Sequence, residues 1–314
     1  MSPSRTGENS ELELNEFLSS FIPQESHSYI RESVIPELLT ALSAIGRELR
    51  SSHHVAIVGT ENAFGDEQLN VDVLAENVLR EAINKCPTIY TASSEEDPVE
   101  RSTNASQADN SSNERYTVAF DPLDGSSIIG PNWSVGTIIG IWEGVTSINQ
   151  PSEKQIASII GVFGPRTLAI VALRIPGTPD ACFEVSLDDT DRIAIPISVQ
   201  PPRTKKYMNL VTKFISEKCT LRYSGGLIPD LFHALVKGHG VYISPVTETS
   251  KAKLRRLYEL LPVALVIECA GGQAIDPETG LRILDTPLKG CDDRAGLVCG
   301  TSEEVEAVKK ALLD

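Results

Sequence analysis

Apolar residues recur at positions 30, 34, 38, 42, 45 and 49, the spacing of one helix face turned to a core. Pro36 falls inside this run and predicts either a break or a helix that starts there. A second stretch is apolar at 71, 74, 75, 78, 79 and 82. It predicts a helix over 71–82, with Asp72 and Glu76 one turn apart on a different face. Short apolar runs at 88–91 and 116–120 read as strands, and 55–58 as a short strand or a buried turn. Further along the pattern changes. Residues 134–142, 156–163, 168–174, 181–187 and 192–197 are strand-like and separated by turn signals, with no helical period between them. They predict one antiparallel or mixed sheet. In the last third, strands near 208–211, 240–244, 281–284 and 296–299 alternate with helical stretches at 228–237, 251–261 and 302–313. Residues 1–11 are polar and read as a disordered tail, and the Ser/Asn/Asp-rich stretch 97–114 as an exposed loop. Pro196, Pro201 and Pro202, followed by Lys205 and Lys206, mark a boundary between two halves, 12–197 and 198–314.

Charge narrows the partners. With 28 basic against 43 acidic residues the chain carries a formal charge of −15. This argues against nucleic acid and anionic membranes as partners. An anionic substrate would need metal ions or a local basic patch to enter. No stretch reaches the roughly 20 apolar residues of a membrane span. The cysteines at 86, 182, 219, 269, 291 and 299 show neither a C-x-x-C pair nor a zinc-ligand rhythm, which fits reduced thiols in a cytoplasmic protein. The histidines at 27, 53, 54, 233 and 239 fall in no motif and read as surface or packing residues. Trp133 and Trp142 read as core or interface anchors.

The stretch with the most chemistry is Asp121-Pro-Leu-Asp-Gly-Ser-Ser127, directly after the apolar run 116–120. Two carboxylates three residues apart stand at a strand end with a proline between them. Gly125 and the two serines then offer backbone N–H groups and hydroxyls, a cradle for a phosphate dianion. Carboxylates for a hard cation beside amides for a phosphate suggest metal-assisted phosphoryl chemistry. The same residues would also serve as a plain acidic turn capped by serines. Further acids follow the same logic: Asp72 on its helix, Glu95-Glu96 after a strand, and Glu259. Basic residues gather around 250, chemically suited to a second dianion.

Taken in order, these stretches resemble the fructose-1,6-bisphosphatase and inositol-phosphatase superfamily of metal-dependent phosphatases. The resemblance runs from residue 30 to the C-terminus. It rests on Phe64-Gly-Asp-Glu-Gln-Leu69 with Val71-Asp72, Ser94-Glu-Glu-Asp97, and the Asp121–Ser127 motif with Val135-Gly-Thr137 behind it. Thr220-Leu-Arg-Tyr-Ser-Gly-Gly226, the run from Lys251 to Glu259, and Ala270-Gly-Gly272 complete it. The resemblance implies a sugar-phosphatase fold: an α/β, or α+β, sandwich layered αβαβα, with a mixed N-terminal sheet and an α/β C-terminal half. Residues 12–197 would handle metal and phosphate, and 198–314 the sugar phosphate.

By the same resemblance, Glu95, Glu96, Asp121, Asp124, Glu259 and the Leu123 carbonyl would bind about two or three Mg²⁺ ions, with Mn²⁺ able to substitute. Asp66 would join them when its loop closes. Asp72 and Glu96 would accept a proton from the attacking water. Asp124, Gly125, Ser126 and Ser127 would hold the reacting phosphate, and Arg222, Tyr223, Lys253 and Arg255 the distal phosphate and sugar. Some positions depart from the fructose enzymes: Ser244 replaces a tyrosine, Gln200-Pro-Pro-Arg203 replaces an Asn-Glu-Gly segment, and Gly130 replaces an acid. The first two favour a seven-carbon sugar, so the expected reaction is hydrolysis of the 1-phosphate of sedoheptulose 1,7-bisphosphate. Fructose 1,6-bisphosphate, alone or as a second substrate, is the alternative, and an inositol-type phosphatase a more distant one. The nucleotide loop of AMP-inhibited enzymes has no counterpart near 25–33, and the positions of a plastid cysteine pair fall near Val55 and Thr60. Neither AMP control nor a thiol switch there is expected. A homo-oligomer, favouring a dimer, is implied as well.

Overall fold

The computed structural model describes residues 12–23, 26–52, 56–61, 67–104, 113–187, 193–196, 216, 220, 222–244, 246 and 252–313. The expected tail 1–11, the strand at 208–211, Asp66 and part of the 97–114 loop lie outside these residues. A nine-stranded sheet forms the middle of the molecule. Its order is β1 (Leu12–Glu13), β11 (Ile193–Pro196), β10 (Ala181–Ser186), β9 (Thr167–Leu173), β8 (Gln155–Phe163), β7 (Val135–Glu143), β6 (Tyr116–Asp124), β4 (Ile89–Ser94) and β5 (Arg101–Ser102). A separate hairpin joins β2 (Ile57–Glu61) to β3 (Glu67–Leu69). Every neighbouring pair in the large sheet is antiparallel except β4 and β6, which run parallel. The sheet is therefore mixed, as the strand-like runs predict.

Both faces of the sheet are covered, because side chains alternate along each strand. Ile139, Ile141, Ile159 and Val171 enter a core under helices α1 (Leu14–Phe21), α2 (Ile35–Ser51) and α3 (Asn70–Lys85). Ile138, Ile160, Ile170 and Ala172 enter the opposite core, under α4 (Leu227–Lys237) and α5 (Leu261–Cys269). The α5 helix is buried on every side from Leu261 to Ile267, as a helix between two sheets must be. Its far side meets the sheet β12 (Val241–Ser244), β16 (Leu297–Gly300) and β14 (Gln273–Ile275). There Ala274, Leu297 and Cys299 point to α5, whereas Ile275 and Val298 pack against Val305 and Val308 of α6 (Ser302–Leu313). The result is five layers in the order αβαβα. One close approach fixes α4 on the large sheet: a Cβ at Gly136 would lie 2.5 Å from Ile228.

Two helices begin unusually. Ile30–Val34 and Arg256–Leu260 are single wide π turns that lead directly into α2 and α5. In both, a proline (Pro36, Pro262) occupies the second position of the α segment that follows. A proline has no N–H, and its ring crowds the carbonyl four residues back. The turn before it opens to i→i+5 bonding, with Ile35 N–H on the Ile30 carbonyl and Leu261 N–H on the Arg256 carbonyl. Pro36 therefore widens the helix without breaking it. The helix expected over 251–261 differs for the same reason: Leu254–Arg255 is the extended strand β13, paired with β15 (Arg294–Ala295), and helical structure starts only at Arg256. The strand expected at 281–284 is a single bridge at Arg282 followed by a 3₁₀ turn, Ile283–Asp285. Ile283 and Leu284 both enter the α5 core, and consecutive residues of a strand cannot do that. Trp142 is buried, while Trp133 is 53% exposed. Among the described residues the cysteines are free thiols, and no helix is long and apolar enough to cross a membrane.

Candidate active site

Asp121 and Asp124 are three residues apart, so a regular strand would turn them to opposite faces. The pairing of β6 with β7 shows why it does not. Asp121 faces Ile138 and Asp124 faces Gly136, three steps on one strand against two on its partner. This one-residue bulge accommodates Pro122 in the ladder. Phe120 and Leu123 then both enter the α2 and α3 core, leaving both carboxylates for the opposite side. Thr137 Oγ1 donates to the Pro122 carbonyl at 2.7 Å, and Leu123 N–H donates to Asp121 Oδ1 at 3.0 Å. Together they pin the bulge.

Glu259 arrives from the π turn on the α5 side. One oxygen each from Asp121, Asp124 and Glu259 lie within 4.8 Å of one another, and all three residues are buried. Glu95 stands at the end of β4, where its N–H bonds to the Phe120 carbonyl at 3.0 Å. Its carboxylate pairs with the Arg255 guanidinium, and the Arg255 N–H donates to Glu259. Burial, then the charges of Glu95, Asp124 and Glu259, pushes the Asp121 carboxyl well above the usual range. Glu259 is likewise pushed well up by burial and by Glu95. Burial raises Asp124 to about 7, although the Ile228 N–H, 2.8 Å from Oδ2, favours its anion. Buried carboxylates that raise one another in this way are a donor set for a hard divalent cation. Oxygen ligands without soft donors fit Mg²⁺ or Mn²⁺.

Beside this cluster the chain turns sharply. Gly125 takes a left-handed φ of 79° and opens the 3₁₀ turn Ser126–Ile128. The first bond of that turn runs from Ile128 N–H to the Gly125 carbonyl at 2.9 Å, so the N–H groups of 125–127 take no part in it. A Cβ at Gly125 would press within 3.4 Å of the Gly226 backbone. Asp72, in the first turn of α3, accepts the Leu69 N–H at 2.8 Å. Burial raises its carboxyl to about 6, against hydrogen bonds from Leu69 and Ser126.

The structure thus gathers Asp72, Glu95, Asp121, Asp124, Glu259 and Ser126 in one place, and Glu96 stands half-buried on the same turn as Glu95. Leu123 is buried within the bulge, and Ser127 is exposed at the turn. Arg222, Tyr223 and Lys253 are exposed. Arg255, expected to grip a distal phosphate, is buried and pairs its guanidinium with Glu95. Sequence reasoning missed Asp230, whose carboxylate takes the Ser224 N–H at 2.9 and 3.2 Å and so anchors the Arg222–Tyr223 segment. Its signal was an acid in the first turn of a helix following a Gly-Gly pair.

The known family models divide the chain between them. "Fructose-1-6-bisphosphatase, N-terminal domain" matches residues 18–188, and the corresponding C-terminal domain matches 188–313. The chain belongs to the fructose-1,6-bisphosphatase family. Its activity is phosphate-ester hydrolysis on a sugar bisphosphate. The chain is 36% identical over 286 residues to the chloroplastic sedoheptulose-1,7-bisphosphatase of Spinacia oleracea, covering 87% of this chain and 71% of that one. It is 34% identical over 268 residues to the class 1 fructose-1,6-bisphosphatase of Geotalea uraniireducens, 80% and 81% of the two chains. A crystal structure from Toxoplasma gondii, provisionally named a sedoheptulose-1,7 bisphosphatase, superposes with a TM-score of 0.83 at 30% identity, covering 96% of this chain and 98% of that one. The fructose-1,6-bisphosphatase of Leishmania major shares the fold at a TM-score of 0.78 and 22% identity, covering 96% and 99% of the two chains.

Proposed function

We propose that the protein removes the 1-phosphate of sedoheptulose 1,7-bisphosphate, giving sedoheptulose 7-phosphate and inorganic phosphate, with Mg²⁺ as its metal. The observation that carries the proposal is the bulge at 121–124, which brings Asp121 and Asp124 to one side beside Glu259 and the Gly125–Ser127 turn. In this reading Glu95, Glu96, Asp121, Asp124, Glu259 and the Leu123 carbonyl hold the ions, and Asp66 joins them from its loop. Bound divalent ions supply acidification of the attacking water and neutralisation of phosphoryl oxygens. Asp72 and Glu96 take the proton from that water. Burial has moved Asp72 toward neutral pH, where a general base works best. The water oxygen bonds to phosphorus as the bond to the C1 oxygen breaks, and that oxygen leaves with the bonding pair and takes a proton from solvent to become the C1 hydroxyl. The amides of Gly125, Ser126 and Ser127 receive the phosphate oxygens throughout.

Arg222, Tyr223, Lys253 and Arg255 are assigned to the distal phosphate and sugar. Residues 12–197 carry the metal and phosphate duties and 198–314 the sugar phosphate, with Glu259 and the Asp124–Ile228 bond crossing between them. Support for the seven-carbon sugar comes from Ser244, at the end of β12, and from the spinach relative. Fructose 1,6-bisphosphate is the second reading, favoured by the class 1 relatives. We further assign the protein to the cytoplasm, with a plastid as the alternative that the chloroplastic relative raises, and to a homodimer, testable by light scattering in solution.

The deciding measurement is steady-state phosphate release with Mg²⁺ from both sugars in parallel, with Glu96→Gln as the control for contaminating phosphatase. A higher kcat/KM for the seven-carbon sugar supports the proposal, and equal values make the protein a dual bisphosphatase. Folded protein active on neither sugar overturns the substrate reading.

A further inference from the structure

Helix α3 carries more than Asp72. Residues 72, 76 and 80 lie one turn apart along a single stripe of the helix. Asp72 meets Ser126 and the charge of Glu95, while the next two turns reach a different part of the same site. Glu76 Oε1 accepts from Ser94 Oγ at 2.9 Å and from Arg80 Nε at 2.7 Å. Arg80 Nη2 donates to Ser94 Oγ at 3.3 Å, and the guanidinium stands 3.8 Å from Asp97 Oδ2.

Ser94 is fully buried, and its hydroxyl is the centre of this network. It donates to Glu76 and accepts from Arg80 and from the Asp97 N–H at 3.0 Å. A hydroxyl has one proton and two lone pairs, so its bonding capacity is filled. The Ser94 N–H in turn bonds to the Asp97 carbonyl at 3.1 Å. These bonds close the 94–97 turn, whose two middle residues are Glu95 and Glu96. Arg80 also covers the Phe120 ring, 5.4 Å from its centroid, and Phe120 immediately precedes Asp121. One side chain of α3 therefore touches both acidic arms of the site.

We propose that Glu76 and Arg80 are positioning residues, holding the 94–97 turn so that Glu95 and Glu96 keep a fixed geometry against Asp72. The inference rests on the assignment of those carboxylates to metal and water. Because the stripe belongs to one rigid helix, Asp72 and the Glu95–Glu96 turn are set by the same element. Loss of the Arg80 guanidinium would leave Glu76 without its cation and remove a donor from Ser94, with Asp97 then held by Arg101 alone. The turn would then loosen without any change in the carboxylates themselves.

The test uses the full-length chain and two readouts: Mn²⁺ binding followed by electron paramagnetic resonance, and Mg²⁺-dependent phosphate release from the two sugar bisphosphates. Arg80→Met should weaken Mn²⁺ binding about 10-fold or more, as loss of an outer-shell partner does. The kcat should fall by a comparable factor with KM for the sugar unchanged, and Arg80→Lys should recover part of both. Arg174→Met breaks a comparable network with Asp180 and Glu268 outside the site and should leave Mn²⁺ binding at the wild-type value. If Arg80→Met does not fold, Glu76→Gln and Arg80→Lys carry the same comparison. Folded variants with wild-type Mn²⁺ binding and kcat overturn the inference. Wild-type protein that binds Mn²⁺ but hydrolyses neither sugar overturns the substrate reading alone, and the Mn²⁺ arm still decides this one. Wild-type protein that binds no Mn²⁺ overturns both.

Discussion

Thr137 and Asp121 pull on the site in opposite senses. The Thr137 hydroxyl holds the Pro122 carbonyl inside the bulge. Thr137→Val keeps the shape but leaves a buried acceptor without its donor, and should cost about 1–3 kcal/mol by urea unfolding, with a fall in kcat. Asp121 works against the metal-free fold, since burial and three neighbouring carboxylates all disfavour its charge. Asp121→Asn should raise the thermal midpoint in chelator while abolishing phosphate release. A lower midpoint in chelator would show that the carboxylates do not repel in the native state. At this scale the acids were legible from their types and spacing, but their direction was not. The alternation rule alone sends Asp121 and Asp124 to opposite faces, and only Pro122 hinted at the bulge. The pairing of Arg255 with Glu95 spans 160 positions, and no local pattern reports such a contact.

Elements were legible where one strong period governs them. The antiparallel run from Val135 to Ser186 follows from repeated apolar strands and turns, and the α3 helix from its stripe. Local pattern failed where a proline or a buried neighbour set the geometry, as at 251–261 and 281–284. The π turn that carries Glu259 exists because Pro262 stands behind it, which makes a sharp prediction. Pro262→Ala restores an N–H and removes the ring, so an ordinary α turn can extend backward and rotate Glu259 away from Asp121 and Asp124. Far-UV circular dichroism should show a helix content no lower than wild type, while the Mg²⁺ concentration for half-maximal activity rises. An unchanged Mg²⁺ requirement would show that the π turn is set by other contacts.

The whole molecule encloses its acidic site between the large sheet and α5, and its stability should report that placement. Asp124, raised to about 7, and Asp72, raised to about 6, bind protons more tightly folded than unfolded. Their contribution is full below the unfolded value, about 3.9, and is lost as pH rises through 6 and 7. Asp97 and Glu143 are held low by hydrogen bonds from Arg101 and Lys154 and titrate on the acid side of this window. His233, lowered by burial, works in the opposite sense but lies outside the cluster and should not respond to metal. In chelator the thermal midpoint should therefore fall between pH 5 and pH 8, and Mg²⁺ should restore it most at the alkaline end by binding the native state. A Mg²⁺ effect independent of pH would show that the ion does not meet these carboxylates.

The extra residue in β6 also says something about heredity. Substitutions at 122 or 123 alter one side chain, but a three-base deletion between the codons for Asp121 and Asp124 would erase the offset between the strands. The two aspartates, then two residues apart on a regular strand, would still share a face. The Pro122 carbonyl held by Thr137 and the Leu123 carbonyl assigned to the ions could not both remain, however, and a three-base insertion would disturb the count in the other direction. Reading-frame-preserving indels, often harmless in a loop, should be purged from this short stretch of the gene as strictly as stop codons.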